Sequence, residues 1–454
     1  MKQAVKAFSV LRICAVVMLT MVADVRSGPV LGAEPTVDPE GKKTESKVAA
    51  LPSSSILNLS LDQAIALFLR QNLDLLIQQY GIDTAKGQQI TASLLPNPYL
   101  YMGHAGSFQK DQAGRSSNLV RSGQITTQVQ QLFEMAGKRG YRIESAGFGT
   151  QSAEANFEDA VRQLSFTVKD TYYRVQLAQK RLALAEENRD RFARILEINA
   201  IRFKKGYIAE VDLIRIRLQV VDFQSQVIQA IQEADTARAD LRVLLNVTPL
   251  TEVALTTDLD YRRVDPDVVA LRILALETRP DIRAKRMAQS QRMADLKLAK
   301  ANRVPDVTIG AGYAVQGPTG PDIQNEVILN VGLPLPLFNR NQGGIMQAQV
   351  AVQSAEADLR KTLIQAESQI DVAYRNLLQS RRLVEVYRAG VLDDARSTLT
   401  IIEHAYERGG ATILELLDAA RTSRTIQMNY VETLFSYQRN VFLLESAVGR
   451  EIPS

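Results

Sequence analysis

The residue types that most often carry out chemistry in proteins are scarce in this sequence. Its 454 residues include one cysteine, two histidines and no tryptophan. A single cysteine cannot form a disulfide framework or a cysteine-rich metal site, and the isolated His104 and His404 cannot build a metal centre by themselves. No paired catalytic carboxylates, nucleophile elbow or phosphate-binding loop stands out. The sequence therefore predicts no enzyme, no cofactor and no metal bound by the protein itself.

The N-terminus has the pattern of a secretory signal peptide, which we assign to residues 1–33. Three basic residues precede an apolar run of 11 residues at 13–23, which is too short to cross a membrane as a helix. We expect cleavage after Ala33. Cys14 lies in the apolar run behind two large residues rather than the small ones of a lipoprotein signal, so we expect export without lipidation.

The charge balance does not point to a nucleic-acid partner. The whole chain has a formal net charge of +4, and the predicted signal peptide contains four basic residues and one acidic residue. Cleavage would therefore leave a net charge of +1, without the basic surface that nucleic-acid binding requires.

The distribution of proline and glycine predicts two long helical hairpins. The windows 99–248 and 337–452 contain no proline, and residues 150–205 contain no glycine either, as uninterrupted helices require. In both windows apolar or small residues recur at alternating spacings of three and four, the pattern of a coiled-coil seam. A helix over 138–204 would be about 100 Å long. A soluble coiled-coil rod would explain these helices alone.

The chain also repeats itself at an offset of about 205 residues. Asn72-Leu73-Asp74-Leu75 resembles Arg279-Pro280-Asp281-Ile282, and Arg202 to Gly206 resembles Ala405 to Gly409. We therefore predict two copies of one unit, each with a helix, a strand pair and a helical hairpin.

These features divide the chain into five parts. The parts are the signal peptide 1–33, a flexible segment 34–58, a first repeat 59–248, a linker 249–264 and a second repeat 265–454. In the first repeat we expect a helix at 59–95, strands at 97–105 and 123–133, and a hairpin at 138–246. In the second repeat we expect a helix at 265–303, strands at 305–316 and 325–335, and a hairpin at 341–449.

Alternating apolar residues in the second strand pair predict a face that contacts lipid. Period-two alternation over about 9–11 residues is the length of a membrane-spanning β-strand, although an ordinary half-buried sheet has the same pattern. The predicted lipid-facing residues are Val307, Ile309, Tyr313, Val327, Leu329 and Val331. Four strands cannot close a barrel, and open edges in lipid leave backbone groups unsatisfied. If the strands cross a membrane, several copies must share one barrel.

Several segments, in the same order in both repeats, resemble the TolC family of outer-membrane efflux channels. The resemblance extends from about Leu59 to Glu451, and residues 334–343 resemble most closely the CzcC-like branch of heavy-metal efflux systems. The resemblance implies a mostly α-helical protein with membrane β-strands. It implies a homotrimer with a shared 12-stranded β-barrel in the outer membrane of a Gram-negative bacterium, joined to an α-helical barrel in the periplasm.

The same resemblance implies a passive export duct that serves a periplasmic adaptor and an inner-membrane pump. Exported solutes, with metal cations among the candidates, would pass without chemistry. Two alternatives remain open: the outer-membrane channel of a type I protein secretion system, and, in a different class, a periplasmic coiled-coil rod.

The resemblance also assigns roles at the predicted hairpin ends. Glu415 and Asp418, on one helix face, match acidic residues of the periplasmic aperture, although a solvated helix face is equally consistent with the pair. Asp212 and Tyr406 match residues that tether the hairpins in the closed state, and Ala411 replaces a basic partner. Gly206, Gly409 and Gly410 match adaptor-docking turns, although chain reversal alone would also explain them.

Overall fold

The computed structural model describes residues 56–105, 124–316 and 325–452. The predicted signal peptide 1–33, Cys14 and most of the predicted segment 34–58 lie outside these ranges. No helix in the described ranges is both long enough and apolar enough to span a membrane.

The helices and strands follow one order twice, with a break in the second copy. In chain order they are β1 (Ile56–Leu59), α1 (Leu61–Gln71), α2 (Leu73–Ser93), β2 (Tyr99–Ala105), β3 (Gln124–Phe133), α3 (Lys138–Lys204), α4 (Glu210–Leu244), β4 (Glu252–Leu255), α5 (Val268–Thr278), α6 (Pro280–Ala301), β5 (Val307–Gln316), β6 (Asn325–Gly332), α7 (Gln342–Val386), a π-helical turn (Tyr387–Val391), α8 (Leu392–Glu407) and α9 (Ile413–Val448). The prediction of a mostly helical chain with two strand pairs is confirmed.

Neither of the helices predicted at 59–95 and 265–303 is continuous, so both predictions were wrong in this respect. Asn72 and Arg279 each adopt an extended conformation, with ψ of 130° and 121°, between the two helices. Asn72 accepts a hydrogen bond from the Leu75 amide at 3.0 Å and so caps α2. Arg279 is extended because it precedes Pro280, whose ring disfavours the helical conformation of the residue before it.

Both breaks are tied to the end of the hairpin in their own repeat. The Asn72 side chain donates to the carbonyl of Leu244 at 2.9 Å, and the Arg279 guanidinium donates to the carbonyl of Ala447 at 2.8 Å. These carbonyls lie in the last turns of α4 and α9, where helices leave such groups without internal partners. Equivalent residues of different chemistry therefore make the same connection.

A short parallel sheet, which the sequence did not predict, joins the starts of the two repeats. Strand β1 pairs with β4, which lies in the predicted linker 249–264. We refer to β1, β4 and residues 256–267 as the belt. The buried hydroxyl of Tyr172 donates to the carbonyl of Leu59 at 2.9 Å, and that of Tyr437 donates to the carbonyl of Arg262 at 2.6 Å. One tyrosine from each repeat thus fastens a hairpin to the belt.

The belt contributes residues to the larger of two main apolar clusters. Residues from α1, α3, α4, α7 and α9 meet there with residues of the belt itself, and Tyr172, Tyr437 and Phe68 are fully buried. A smaller cluster lies near the hairpin turns, where Phe192, Ile216 and Phe223 of the first hairpin pack with residues of α8 and α9.

The two hairpins differ in the continuity of their first helix. Helix α3 runs without interruption for 67 residues, whereas the helix expected at the same place in the second hairpin is interrupted by the π-helical turn at 387–391. Gly390, in this turn, has a φ of 126°. It is the one glycine between Gly344 and Gly409. Because this segment also contains no proline, the sequence did not indicate the break in the helix.

The other four strands form one antiparallel sheet in the order β2-β3-β5-β6. Prolines limit its strands: β2 starts at Tyr99, after Pro98, and β6 ends at Gly332, two residues before Pro334, rather than at the predicted 335. Proline lacks the amide hydrogen that a strand ladder uses. The central pairing, β3 with β5, joins the two repeats.

Candidate functional site

One face of the four-stranded sheet is apolar and exposed to solvent in the single chain. Ile309 pairs with Val331 and Tyr313 with Val327, so the side chains of each pair lie on the same face. Val327, Leu329 and Val331 are 75%, 79% and 73% exposed. Leu100, Met102, Ile125 and Val129 continue this face on β2 and β3. A broad apolar surface of this kind marks an interaction site or a membrane contact.

The opposite face of the sheet is polar and hydrogen-bonded. The Asn330 amide donates to Gln128 at 2.8 Å, and the Gln130 amide donates to the same oxygen at 3.3 Å. These side chains lie over Gly310 and Gly312 of β5, where an added Cβ would overlap with them. The sheet is therefore inverted relative to that of a soluble protein, which turns its apolar face to a core.

Within the described residues both edges of this sheet are open. Strands β2 and β6 each have one pairing partner, so each has a row of backbone groups directed away from the sheet. Because successive strands alternate in direction, β6 of one copy would lie antiparallel to β2 of the next. Copies related by rotation could therefore continue the sheet without changing its pairing mode.

The second candidate site is where the ends of the two hairpins meet. We refer to residues 199–215 as the first tip and residues 403–418 as the second tip. The Tyr406 hydroxyl donates to Asn199 Oδ1 at 2.7 Å, and both residues are buried. Arg202 donates to the main-chain carbonyls of Tyr406 and Glu407, and its guanidinium lies 5.7 Å from the centre of the Tyr406 ring. A cation of the first tip thus holds the backbone of the second.

The predicted tether residues Asp212 and Tyr406 form hydrogen bonds with different partners in the described chain. Asp212 accepts from Arg215 on its own helix at 3.5 Å, while Tyr406 bonds to Asn199. Burial raises the pKa of the Tyr406 hydroxyl, with Arg202 acting in the opposite direction and Asp212 adding to the increase. Asp212 therefore contributes an electrostatic effect on Tyr406, while Asn199 and Arg202 make the direct contacts.

Sequence reasoning missed two cross-hairpin contacts near the tips. The sequence does not indicate Asn199, because its burial, which requires a polar partner, is visible only in the structure. Arg191 of α3 pairs with Glu403 of α8 at 3.1 Å, and nothing in the sequence distinguishes it from the other arginines of that helix. Arg202 was noted as part of a repeated motif, but the motif does not indicate that its partners are carbonyl groups.

Glu415 and Asp418 lie one turn apart on α9, and both are exposed. Glu415 caps the helix: the Thr412 amide donates to its carboxylate at 2.6 Å, and the Thr412 hydroxyl accepts from the Glu415 amide at 3.3 Å. The hydrogen bond from the Thr412 backbone, followed by the one from its hydroxyl, lowers the pKa of Glu415. Glu415 therefore has a structural role as a helix cap, and the aperture role of the pair stays a prediction.

The turn glycines differ in what their positions require. Gly206 and Gly409 have φ values of 76° and 81°, a conformation that other residues adopt at a cost. Gly410 has no such backbone and donates its amide to the Ala405 carbonyl at 2.8 Å. Chain reversal therefore accounts for Gly206 and Gly409 but not for Gly410.

The described ranges contain no group of three or more histidine, cysteine, aspartate or glutamate side chains that could hold a metal ion. His404 Nδ1 lies 3.5 Å from Glu407, and both side chains are exposed.

A sheet with an exposed apolar face and an opposite polar face, combined with a doubled helical hairpin, is the arrangement expected of an outer-membrane export channel. The family model described as "Outer membrane efflux protein" matches residues 64–247 and 271–450, so the chain belongs to this family. Its place is accordingly the outer membrane of a Gram-negative bacterium, with a part that extends into the periplasm, and its relatives are channels rather than enzymes.

Two curated relatives and a solved structure agree with this assignment. The chain is 24% identical over 407 residues to the cobalt-zinc-cadmium resistance protein CzcC of Cupriavidus metallidurans. The aligned region covers 89% of this chain and 93% of that protein. It is 22% identical to the outer membrane protein TolC of Salmonella enteritidis, covering 80% and 76%. A crystal structure of CusC superimposes with a TM-score of 0.72 at 18% identity, covering 86% of this chain and 92% of CusC.

Proposed function

We propose that this protein is the outer-membrane channel of a tripartite efflux system. The family resemblance implies that three copies share one barrel of 12 strands, and the four-stranded antiparallel sheet of each chain, with an open edge on either side, is compatible with such sharing. The observation that carries the proposal is the exposed apolar face of this sheet, on which Val327, Leu329 and Val331 are about three-quarters exposed. Lipid would cover this face, while the amide-rich face would line the pore.

Solutes would pass through this duct from an inner-membrane pump and a periplasmic adaptor. The tips, with the turns at Gly206 and Gly409-Gly410, are the proposed adaptor-docking surface. The similarity to CzcC over nearly the whole chain supports metal cations as cargo. The amide lining fits this role, because uncharged hydrogen-bonding groups solvate a cation without holding it as carboxylates do.

The aperture of the duct is proposed to lie at the second tip. Three copies of Glu415 and Asp418 would form two acidic rings that attract cations. Asp212 and Tyr406 remain the proposed closed-state tether, now with Asn199 and Arg202 as direct partners of Tyr406. Replacing Glu415 with Gln and Asp418 with Asn should change the block by divalent cations in planar bilayers. An unchanged block would contradict the assignment of the aperture.

Two substitutions on opposite faces of the sheet test the membrane assignment. Leu329→Arg places a charge on the apolar face and should prevent insertion into the outer membrane, since a charge at the midplane of a lipid-facing strand costs about 2–4 kcal/mol. Asn330→Arg, one residue away on the polar face, should insert and conduct. Insertion of both variants, or of neither, would contradict the assignment of the faces.

The alternatives make different predictions for the same purified protein. A periplasmic rod would be released by osmotic shock and would give no channels in planar bilayers. A type I secretion channel would conduct, but its deletion would abolish export of a protein and leave the tolerance of metal salts unchanged. For an efflux channel, deletion should lower that tolerance.

A further inference from the structure

We propose that the four-stranded sheet binds an anionic phospholipid at its periplasmic end, where Lys300, Arg303 and Arg340 would hold the phosphate group. The lipid would belong to the periplasmic leaflet of the outer membrane. The inference rests on the proposed function, because it requires the apolar face of the sheet to lie in lipid. It adds a ligand that the export of solutes does not by itself need.

An exposed apolar loop connects β6 to α7. Its residues 333–338 read Leu-Pro-Leu-Pro-Leu-Phe, and all four side chains other than the prolines are exposed, with Leu335 at 71% and Phe338 at 90%. The Leu337 amide donates to the Leu335 carbonyl at 2.9 Å, which closes a tight turn. Turns that face water favour polar residues, so this composition indicates an apolar surrounding.

The loop starts on the proposed lipid-facing side of the sheet. Side chains at 327, 329 and 331 form the apolar face of β6, and Leu333 is the next residue in the same alternation. Phe133 pairs with Val307 one residue from the last pair of β5 with β6, so Leu333 lies level with both. Aromatic and aliphatic residues at the ends of lipid-facing strands mark the boundary between acyl chains and headgroups.

Three cations border this loop. Arg340 donates its Nε to the Pro336 carbonyl at 3.3 Å, so its guanidinium lies beside the apolar turn. The side chain of the next residue, Asn341, donates to a main-chain carbonyl of α6 at 2.7 Å. This hydrogen bond joins the loop to the end of α6, where Lys300 and Arg303 are exposed.

None of the three cations forms an ion pair with another described residue. The two carboxylates at this end of the sheet are already occupied, since Asp306 pairs with Lys138 at 2.7 Å and Glu134 pairs with Arg142. The end of the second strand pair therefore has a positive charge that the described chain does not compensate.

A phosphate group attached to acyl chains matches both parts of this surface. Guanidinium groups form paired, charge-assisted hydrogen bonds with phosphate oxygens, and the apolar loop would pack on the acyl chains. An anionic headgroup fits better than a zwitterionic one, because the same cations would repel an ammonium group.

A neighbouring copy of the chain does not offer the missing anion. If β6 of one copy pairs with β2 of the next, the loop lies beside the residues at the start of β2. Residues 94–105 contain no aspartate or glutamate, so the three cations would keep their uncompensated charge at that edge. The charge therefore favours lipid over protein as the occupant.

Because the chain has no tryptophan, one introduced fluorophore can report on the loop in the full-length protein. Phe338→Trp keeps an aromatic side chain there, and phosphatidylglycerol or phosphatidylcholine with brominated acyl chains would quench its emission on contact. Mixed vesicles of the two lipids would give their relative binding constant. The test adds Arg303→Gln and Arg340→Gln together, and the control adds Arg360→Gln and Lys361→Gln. The control pair removes the same charge from exposed positions about 27 Å along α7 from its first residue.

We expect phosphatidylglycerol to bind at least about tenfold more tightly than phosphatidylcholine, since one basic residue at an anionic lipid surface contributes about fivefold. Loss of both arginines should remove most of this preference, and the control pair should leave it unchanged. Excess inorganic phosphate should not relieve the quenching, because it has no acyl chains. Equal binding of the two lipids, a preference that survives without the arginines, an equal loss in the control, or displacement by phosphate would each overturn the proposal.

Channel recordings separate failure of this site from failure of the proposed function. If the protein conducts in planar bilayers but shows no lipid preference, the site fails and the channel stands. If it conducts and neither lipid quenches the introduced tryptophan, the next copy covers the loop, which also overturns the site. If the protein gives no channels, the proposed function fails, and the quenching in vesicles still decides whether the lipid site exists.

Discussion

The two hairpins of this protein have nearly the same length and the same tyrosine attachment to the belt, yet one contains a continuous first helix and the other a broken one. Helix α3 covers 67 residues, and α7, the π-helical turn and α8 together cover the equivalent positions in the second hairpin. Tyr172 and Tyr437 fasten the two hairpins to the belt in the same way. The repeats are therefore alike at the belt and differ towards the tips.

The two repeats within the chain also contribute different residues to the tips. The first hairpin provides the anchoring side chains Arg191, Asn199 and Arg202, all on the unbroken α3. The second provides the acidic residues Glu415 and Asp418 and the partners of those side chains. A duplicated unit thus has an unbroken copy, whose Arg191 and Arg202 donate to the other hairpin and whose Asn199 accepts from Tyr406, and a jointed copy, which supplies their partners and the proposed aperture.

The largest expected effect tests whether the repeats are equal at the belt. Tyr172→Ala and Tyr437→Ala should each lower the free energy of unfolding by about 3–5 kcal/mol, as for other large buried aromatic residues. The two losses should be similar, because both side chains are fully buried and both hydroxyls bridge belt backbone groups. Urea unfolding in detergent would measure them. A much smaller loss for one of the tyrosines would show that the belt favours one repeat.

The sequence was sufficient for the parts of this comparison that depend on periodicity. The coiled-coil spacing and the absence of proline indicated the hairpins, and the alternation of Val307 to Val315 indicated the strands. The same signals could not reveal the break at Gly390, because one glycine in a long helix is compatible with continuity. The parallel pairing of β1 with β4 was also hidden, since four-residue strands far apart in sequence leave no periodic signal.

At the tips the structure shows a contact that the sequence did not indicate. Family resemblance pointed to Tyr406 and Asp212, whereas the hydrogen bond of Tyr406 is to Asn199. Such partners depend on how α3 and α8 are rotated about their axes. That rotation is set by packing over the whole length of the helices.

The next effect concerns the cation that joins the tips. Arg202→Met should release the carbonyls of Tyr406 and Glu407 and cost about 1.5–3 kcal/mol of local stability, the usual range for a hydrogen bond with a charged partner. Amides 403–412 should then exchange faster, while those of the first tip change little. Arg194→Met, exposed on the same helix, is the control. Faster exchange in both tips to the same extent would contradict the difference between the unbroken and the jointed copy.

A smaller effect is expected from the hydroxyl of Tyr406. Tyr406→Phe keeps the ring in its cluster but leaves Asn199 Oδ1 buried without its donor, at a cost of about 1–3 kcal/mol. The opening rate of single channels should rise accordingly. Tyr207→Phe, whose side chain is 75% exposed, removes a hydroxyl from the first tip and should leave the opening rate unchanged. Equal effects of both variants would show that the contact between the tips does not control opening.

The smallest expected effect distinguishes the two equivalent helix breaks, at Asn72 and Arg279, by how stability at each depends on pH. Burial by itself would raise the pKa of Asp281, but its hydrogen bonds with the Arg279 guanidinium, one of them 2.7 Å long, hold that pKa below its usual value. A carboxylate with a lowered folded-state pKa stabilises the protein above its unfolded pKa, about 3.9, and this contribution disappears as the pH falls through the folded value. Asp281→Asn should therefore lower the urea midpoint at pH 7, and the deficit should shrink from about pH 4 downwards. Asp74→Asn, at the exposed equivalent position beside the uncharged Asn72, is the matched control. If the deficit for Asp281→Asn were constant from pH 7 to pH 3, the stability of the break at Arg279 would depend on packing and not on the charge of Asp281.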